Sequence, residues 1–429
     1  MRTLRWILAS TVVGVATLTS APAGEAQGAV CPPPAPLTFS PPRYIDTTRA
    51  GGEPTIATHP DGTYLVGTHA GSSHFYTPEA GDEDTAAFPQ NYRGQAYYYW
   101  SADKGQTWHY VDRSSPPANV PGTGYSDPDF AIDTAGQVFI SEINLVNIAM
   151  SKSTDVGRSY ALQNILAQSL SDRQWSDADQ KDVVYMSGNS FGGGTSTNPV
   201  GNEGHYLYRS TDGGKTFTPG LEDGTGDGDL KVDHRNGTLY EPWPDRDNGT
   251  VAVAAYRKAR TGDMTREVVQ IATGADLPLI GFHSVDVDPH GNVYLSWKDN
   301  GGGKSERPAG VYYSYSTDEG RHWAAPMRVD TDDKYDHWPW LTVGDDGHVA
   351  IAWLQADIDL PSAETPGFHG WRVVMAQTTS GLGCTGGRIP GFTISTVTAE
   401  PMHVGTICDN GTICQAQVVD RRLGDYFTV

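Results

Sequence analysis

The sequence predicts an all-β ring, a β-propeller of four-stranded antiparallel blades, and three observations carry that expectation. First, the phrase SADKGQTW at Ser101 returns as STDVGRSY at Ser153, STDGGKTF at Ser210 and STDEGRHW at Ser316. The copies lie 52, 57 and 106 residues apart, the last interval being two steps of about 53, and a fixed period of this size marks one supersecondary element per repeat. Second, a β-rich run, a Gly or Asp turn and another β-rich run recur in register with that phrase. Third, 38% hydrophobic residues and 50 glycines among 429 residues describe a turn-rich chain and disfavour a helical bundle.

Taken in order, residues 1–30 begin with two arginines, continue through an apolar stretch from Trp6 to about Leu18 and reach the small residues APA. This is the layout of a cleaved secretory signal, and the stretch is shorter than the roughly 20 residues of a membrane span. The remainder, 31–429, reads as a single propeller domain, with truncation at its C-terminal end left open. Inner strands and their turns are read in EPTIATHPDGTYLVGTH from 53, DPDFAIDTAGQVFISEI from 127 and DRQWSDADQKDVVYMSG from 172. They continue in GDLKVDHRNGTLYEPW from 228, FHSVDVDPHGNVYLSW from 282 and HWPWLTVGDDGHVAIAW from 337. Third strands follow, such as QAYYYWSAD, HYLYRSTD and GVYYSYSTD; then comes the Ser/Asp/Gly turn and a last strand. One copy of the turn phrase is missing near 263, where the chain reads YRKARTGDMTRE. That makes six units. RRLGDYFTV from Arg421 has the look of a further innermost strand, so either a seventh blade is cut short or this strand joins LTFSPPRYID to close the ring. Residues 194–204 and 357–369 read as loops.

The net charge of −21 is spread along the chain, which makes nucleic acid and anionic membranes poor partners and suits a soluble, secreted monomer. Cys31, Cys384, Cys408 and Cys414 fit an oxidising compartment and allow three pairings. Cys408 and Cys414 flank the turn DNGTI, so a hairpin staple is favoured, leaving Cys31 for Cys384. No zinc spacing accompanies them. No cofactor is expected; the acidic run 223–233 offers oxygen ligands to calcium but lacks EF-hand spacing and reads better as a solvated loop. The Asn236, Asn248 and Asn410 sequons read as Asn-Gly turns.

The four turn phrases are similar to the Asp-box, or BNR, repeat of secreted bacterial sialidase-like propellers, over nearly the whole mature chain. The resemblance implies that each Asp box lies on the outer hairpin of its blade, away from any active site. The residues agree with a structural role. Asp103, Asp155, Asp212 and Asp318 can accept N–H bonds across their own turn, the glycine two residues on permits left-handed backbone, and the aromatics can pack between sheets.

Chemistry is expected where inner strands begin, at one rim of the central channel. That set holds Glu53, Asp127, Asp129, Asp172, Arg173, Trp175, Asp227, Asp229, His283, Asp336, His337, Trp338, Arg422, Asp425 and Tyr426. Carboxyl groups serve glycoside cleavage, indoles offer a face to a sugar ring and arginine forks a sugar carboxylate. Asp127 or Asp129 is the candidate general acid, and the resemblance implies Tyr426 as nucleophile, since sialidases use tyrosine. Glu53, Arg173, Trp175, His283, Asp336, His337, Trp338, Arg422 and Asp425 are the candidate glycan-binding residues. Sialidases open their first blade with Arg-Ile-Pro, whereas this chain has Glu53-Pro54-Thr55-Ile56, and a carboxylate there repels a sialate. Arg388-Ile389-Pro390 stands in the wrong blade position. Three readings follow: a sialidase-like glycoside hydrolase, a non-catalytic propeller binding glycan or protein, and a polysaccharide lyase using His283 or His337 as base with Arg173 neutralising a uronate.

Overall fold

The computed structural model describes residues 28–49, 51–70, 96–111, 125–144, 147–166, 171–190, 204–218, 228–278, 282–302, 305–409, 420 and 423–429. It shows six antiparallel sheets, each made from consecutive strands, and the helical content of the described residues is a 3-10 turn at Ala259–Thr261.

Blade 1 is β1 (Gly51–Thr58), β2 (Tyr64–Ala70), β3 (Ala96–Ser101) and β4 (His109–Tyr110). Blade 2 is β5 (Tyr125–Ile132), β6 (Val138–Asn144), β7 (Asn147–Ser153) and β8 (Ala161–Leu166). Blade 3 has β9 (Ser171–Ala178), β10 (Val184–Ser190) and β11 (Gly204–Ser210), with an Arg209–Thr218 bridge at the position of a fourth strand. Blade 4 is β12 (Lys231–Asp233), β13 (Thr238–Pro242), β14 (Val251–Arg257) and β15 (Thr265–Ala272). Blade 5 is β16 (Ser284–Val287), β17 (Val293–Asp299), β18 (Gly310–Ser316) and β19 (Met327–Arg328). Blade 6 is β20 (Asp336–Val343), β21 (Val349–Ala356), β22 (Gly370–Thr378) and β23 (Thr393–Thr396), with the short β24 (His403–Val404) also on β22. This is a six-bladed β-propeller.

The alternation of each strand sends one face to each neighbouring blade, so the core is a ring of wedges rather than one globule. Tyr98, Phe130 and Ile140 fill the space between blades 1 and 2, and Met150, Met186 and Tyr208 that between blades 2 and 3. Tyr240, Val253 and Trp297 join blades 4 and 5; Tyr313, Ile351 and Trp353 join blades 5 and 6.

Every Asp box closes the same outer hairpin. In the first, Ser101 Oγ donates to Asp103 (2.8 Å) and accepts the Gly105 N–H (2.9 Å), while Asp103 accepts from the Thr107 N–H (2.9 Å) and hydroxyl (2.6 Å). The other three boxes repeat the pattern around Asp155, Asp212 and Asp318. Two successive residues are left-handed in each, as in Val156 (φ 58°) and Gly157 (φ 74°), which is why glycine is written there. These hydrogen bonds hold Asp103 and Asp318 down at about 2. Blade 4 replaces the box with the Ala259–Thr261 turn, whose Arg260 reaches back to Asp179 of blade 3 (2.6 and 2.7 Å).

Inner strands have one open edge facing the channel, and unpaired N–H groups there need partners. Side chains of the preceding blade supply them. Asp129 accepts from the Ser176 N–H (2.7 Å), Asp177 from Val232 (2.7 Å), Ser284 from Leu341 (3.1 Å) and Asp286 from Val343 (2.9 Å). The same open edge explains why Pro54, Pro128 and Pro339 are tolerated in inner strands, because proline has no N–H to offer a ladder.

Both ends of the chain meet the ring in a way the sequence reading did not contain. Residues 423–429 form no strand of a seventh blade; they run into the channel beside β1, with Thr428 N–H on Pro54 O (3.1 Å) and Ile56 N–H on the Thr428 hydroxyl (2.8 Å). Residues 30–37 follow the outer side of blade 6 through a Val30–Ile389 bridge, the Cys31–Cys384 disulfide and a Leu37 N–H bond to Ser395 (3.0 Å). Further along, Asp46 accepts from Tyr99 of blade 1 (3.1 Å), so this segment straps blade 6 to blade 1 from outside. Cys408 is also disulfide-bonded, to a partner outside the described residues.

Candidate functional site

Four inner strands break at the same place. Register shifts fall between Gly52 and Thr55 on β1, between Ser126 and Asp129 on β5, opposite Ser187–Asn189 on β9, and between His337 and Trp340 on β20. Each β-bulge carries one non-glycine residue in left-handed backbone: Glu53 (φ 47°), Asp127 (φ 51°), Arg173 (φ 55°) and Trp338 (φ 50°). Such backbone costs on the order of 1–3 kcal/mol per residue and concentrates at functional sites, where bulges re-aim side chains.

Three of these bulges feed one acidic cluster. Glu53 and Asp127 each lie near His69 of β2, at 3.8 and 3.9 Å from its Nδ1. Glu53, His69 and Asp127 offer ligand atoms within 4.8 Å of one another, a donor set able to hold a divalent cation; buried Asp288 and exposed His290 and Asp346 form a second such group. Asp425 donates its N–H to Glu53 (2.9 Å), and Gly424 lies so close that a Cβ there would sit 2.1 Å from Glu53 Cγ. Burial pushes the Asp172 carboxyl up to about 7, with the Asp127 charge adding to the rise and the Arg173 charge opposing it. Arg173 lies over Phe282, 5.4 Å from the ring centroid.

Beneath this cluster the channel is plugged. Trp175, Phe282, Trp340 and Tyr426 pack with centroid distances of 4.9 to 6.3 Å. Tyr426 is 5% exposed, its hydroxyl faces Pro128 O at 3.5 Å, and burial holds its proton well above the usual range. A nucleophile must meet substrate, so this placement gives Tyr426 a packing role. Trp175 belongs to the same plug and presents no ring face to solvent. Below the plug lies a chamber of about 370 Å³, lined by Asp129, Asp229, Lys231, Asp286, Thr342 and Thr428. Asp229 pairs with Lys231 (3.0 Å), and burial lifts Asp129 to about 6 and Asp229 to about 8. Asp129 is thus a strand tie beneath the plug, separated from Asp127 at the rim. Of the acidic run 223–233, residues 223–227 lie outside the described residues, and Asp229 and Asp233 pair with Lys231 and Arg235.

The blade 6 residues take other places. Trp338 is 4% exposed, tilted against His337 (ring centroids 4.4 Å apart) and enclosed by Leu360, Ala363, Trp371 and Ile407, so it is core rather than a sugar platform. Asp336 accepts from Trp353 Nε1 (2.5 Å) and Gln355 (3.0 Å). His283 and His337 are each 1% exposed. Asp227 and Arg422 lie outside the described residues. Arg388-Ile389-Pro390 belongs to the N-terminal strap.

Of the residues the sequence reading placed at the rim, Glu53, Asp127, Asp172, Arg173 and Asp425 come together. That reading missed His69, Lys298 and Asp409, which stand on second strands or on the blade 6 insertion.

No family model and no curated protein matches the chain. Among solved structures it is similar to a protein of unknown function from Dyadobacter fermentans, with 14% identity over 74% of this chain and 93% of that one and a TM-score of 0.48. It is similar to the Penicillium chrysogenum α-L-arabinanase complexed with arabinobiose, with 13% identity over 76% and 95% of the two chains and a TM-score of 0.43. It is also similar to Aleuria aurantia lectin in complex with α-methyl-L-fucoside, with 10% identity over 82% and 98% and a TM-score of 0.45. At these values the similarities assign no function to any residue.

Proposed function

We propose that the chain is an exported glycoside hydrolase whose reaction takes place at the Glu53–Asp127–Asp172 rim. The observation that carries this reading is the convergence of three carboxyl groups from three blades on strained bulges beside Arg173. Hydrolysis of a glycosidic bond needs one carboxyl group to protonate the leaving oxygen and a second to attack or stabilise the anomeric carbon. Asp172, protonated near neutral pH, supplies the proton, and Asp127, whose charge raises it, supplies the carboxylate. Glu53 lies within 4.8 Å of Asp127 and orders the same region, while Arg173 offers a fork to ring hydroxyls. The Cys31–Cys384 disulfide supports the reading of an exported protein.

Glu53 stands where the resemblance would place an arginine for a sialate carboxylate, and Tyr426 is buried in the plug, so the hydrolase reading does not extend to sialidase chemistry. The test is product release from a panel of neutral, uronic and sialic glycosides by the purified chain, with Asp172→Asn alongside. Free sugar from the wild type, lost in the variant, supports the reading. An unsaturated uronate absorbing in the ultraviolet would make it a lyase, and glycan binding without turnover would make it a binding propeller.

A further inference from the structure

Blade 5 buries a lysine that this chemistry does not use. Lys298 of β17 is 3% exposed, and its ammonium has no hydrogen-bond acceptor among the described residues. It rests 3.4 Å from the centroid of the Tyr335 ring. Of the carboxylates facing it, Asp330 is engaged by Arg328 (2.5 Å) and Asp299 by the Gly301 N–H and the Ser305 hydroxyl (both 2.9 Å). Asp336 and Asp409 are different. Asp336 uses Oδ1 for Trp353 and Gln355, and its buried Oδ2 has no partner among the described residues. Asp409 Oδ1 stands 3.2 Å from His337 Nε2 without hydrogen-bond alignment.

A buried ammonium and a buried carboxylate oxygen left unpaired are costly, so this arrangement is completed by a group that both accepts and donates. A hydroxyl does both: it accepts from Lys298 and donates to Asp336 or Asp409. The side chain of Asp409 is 20% exposed, and its charge is felt together with that of Asp425, which bonds Glu53. Asp409 is thus the partly exposed member of the cluster, on the side of Asp425 and the rim. We propose that Lys298, Asp336, His337 and Asp409 form a subsite for the hydroxyl groups of a neutral sugar, which makes neutral glycans the substrate class of the rim. This rests on the hydrolase reading. As Asp336 and Asp409 ionise above about pH 7, two carboxylates flank the one ammonium, so a uronate or sialate carboxylate is repelled there. Burial lowers the lysine to about 8 against the pull of Asp409 and Asp336, which leaves it mostly charged at neutral pH and able to donate.

The experiment is binding, read by tryptophan fluorescence and saturation-transfer NMR, of methyl galactoside, methyl xyloside and methyl arabinoside against methyl glucuronoside and methyl sialoside. The wild type is expected to bind at least one neutral probe tenfold or more tightly than either acidic one. Lys298→Met weakens that probe at least tenfold, and Asp409→Asn narrows the neutral-to-acidic ratio. Preference for an acidic probe, binding of none, or unchanged binding by a folded Lys298→Met chain overturns the proposal. If Lys298→Met does not fold, the ¹³C signal of reductively dimethylated Lys298 is followed in the wild type; its failure to shift on adding the neutral probe likewise overturns it. Neutral binding without turnover would sink the hydrolase reading alone, whereas turnover indifferent to Lys298→Met would sink the subsite alone.

Discussion

Asp172 and Asp127 sit on neighbouring blades, and each owes its place to a bulge on an edge strand. Replacing Asp172 with Asn should lower kcat/KM about 10²–10⁴-fold while leaving the fold intact, because the amide keeps the shape and loses the proton. As Asp172 acts protonated, the wild-type rate should fall as pH rises above about 7, and a rate flat to pH 9 would remove it from the role of acid. Stability follows the same sign. Asp129, Asp172, Asp229, Asp336 and Asp409 are raised to between about 6 and 8, so the folded chain holds protons that the unfolded chain has released. Their contribution is complete below about pH 4 and is lost as pH rises through 6 to 8. The Asp boxes work the other way, with Asp103 and Asp318 near 2 and their contribution lost only in strong acid. Thermal unfolding should therefore peak near pH 4, and a maximum at pH 8 would contradict the burial of these carboxylates. The positions of Glu53, Asp127 and Arg173 were legible because each stands where an inner strand begins, whereas Trp338, at the same point of its blade, was read as sugar-facing and is core. Lys298 and His69 were not, because their strands read as ordinary β-runs and only the register places those side chains opposite a neighbouring blade.

Among the elements, the Asp box was the most legible, since its hydrogen bonds all close within eight residues and one short phrase contains them. Asp212→Ala should cost about 1 kcal/mol by removing bonds to Ser210 and Thr216, with no change in activity, measured by denaturant unfolding and the same glycoside assay. The ties between inner strands were not legible, because each joins residues about 50 positions apart. Asp177→Ala leaves the Val232 N–H without its acceptor and should cost about 1–3 kcal/mol, whereas Asp177→Asn keeps an acceptor and should cost less. Equal losses in the two variants would mean the carboxylate acts through charge rather than as a strand cap. The missing fourth box was noticed in the sequence, but its replacement was not, since Arg260 works only through Asp179 of the previous blade.

At the scale of the molecule, six blades followed from the period, whereas closure depended on long-range contacts that no local pattern announces. The Cys31–Cys384 pairing was favoured by elimination, yet its purpose as part of an outer strap appears only in three dimensions. Cys384→Ser should cost about 2–5 kcal/mol by freeing that strap, read as a lower thermal midpoint, with the reduced wild type at or below it because reduction also breaks the bond of Cys408. An unchanged midpoint would leave closure to the inner segment 423–429.

The recurring bulge has a further consequence. Because the left-handed position recurs on four spokes of one wheel and on three of them feeds the rim, exchanging Glu53, Asp127 or Arg173 alters what the hub displays while the hydrogen-bonded rungs behind it keep their spacing. The frame resembles a set of interchangeable sockets, so new specificities are best sought by varying those positions together, with each following proline retained where it occurs.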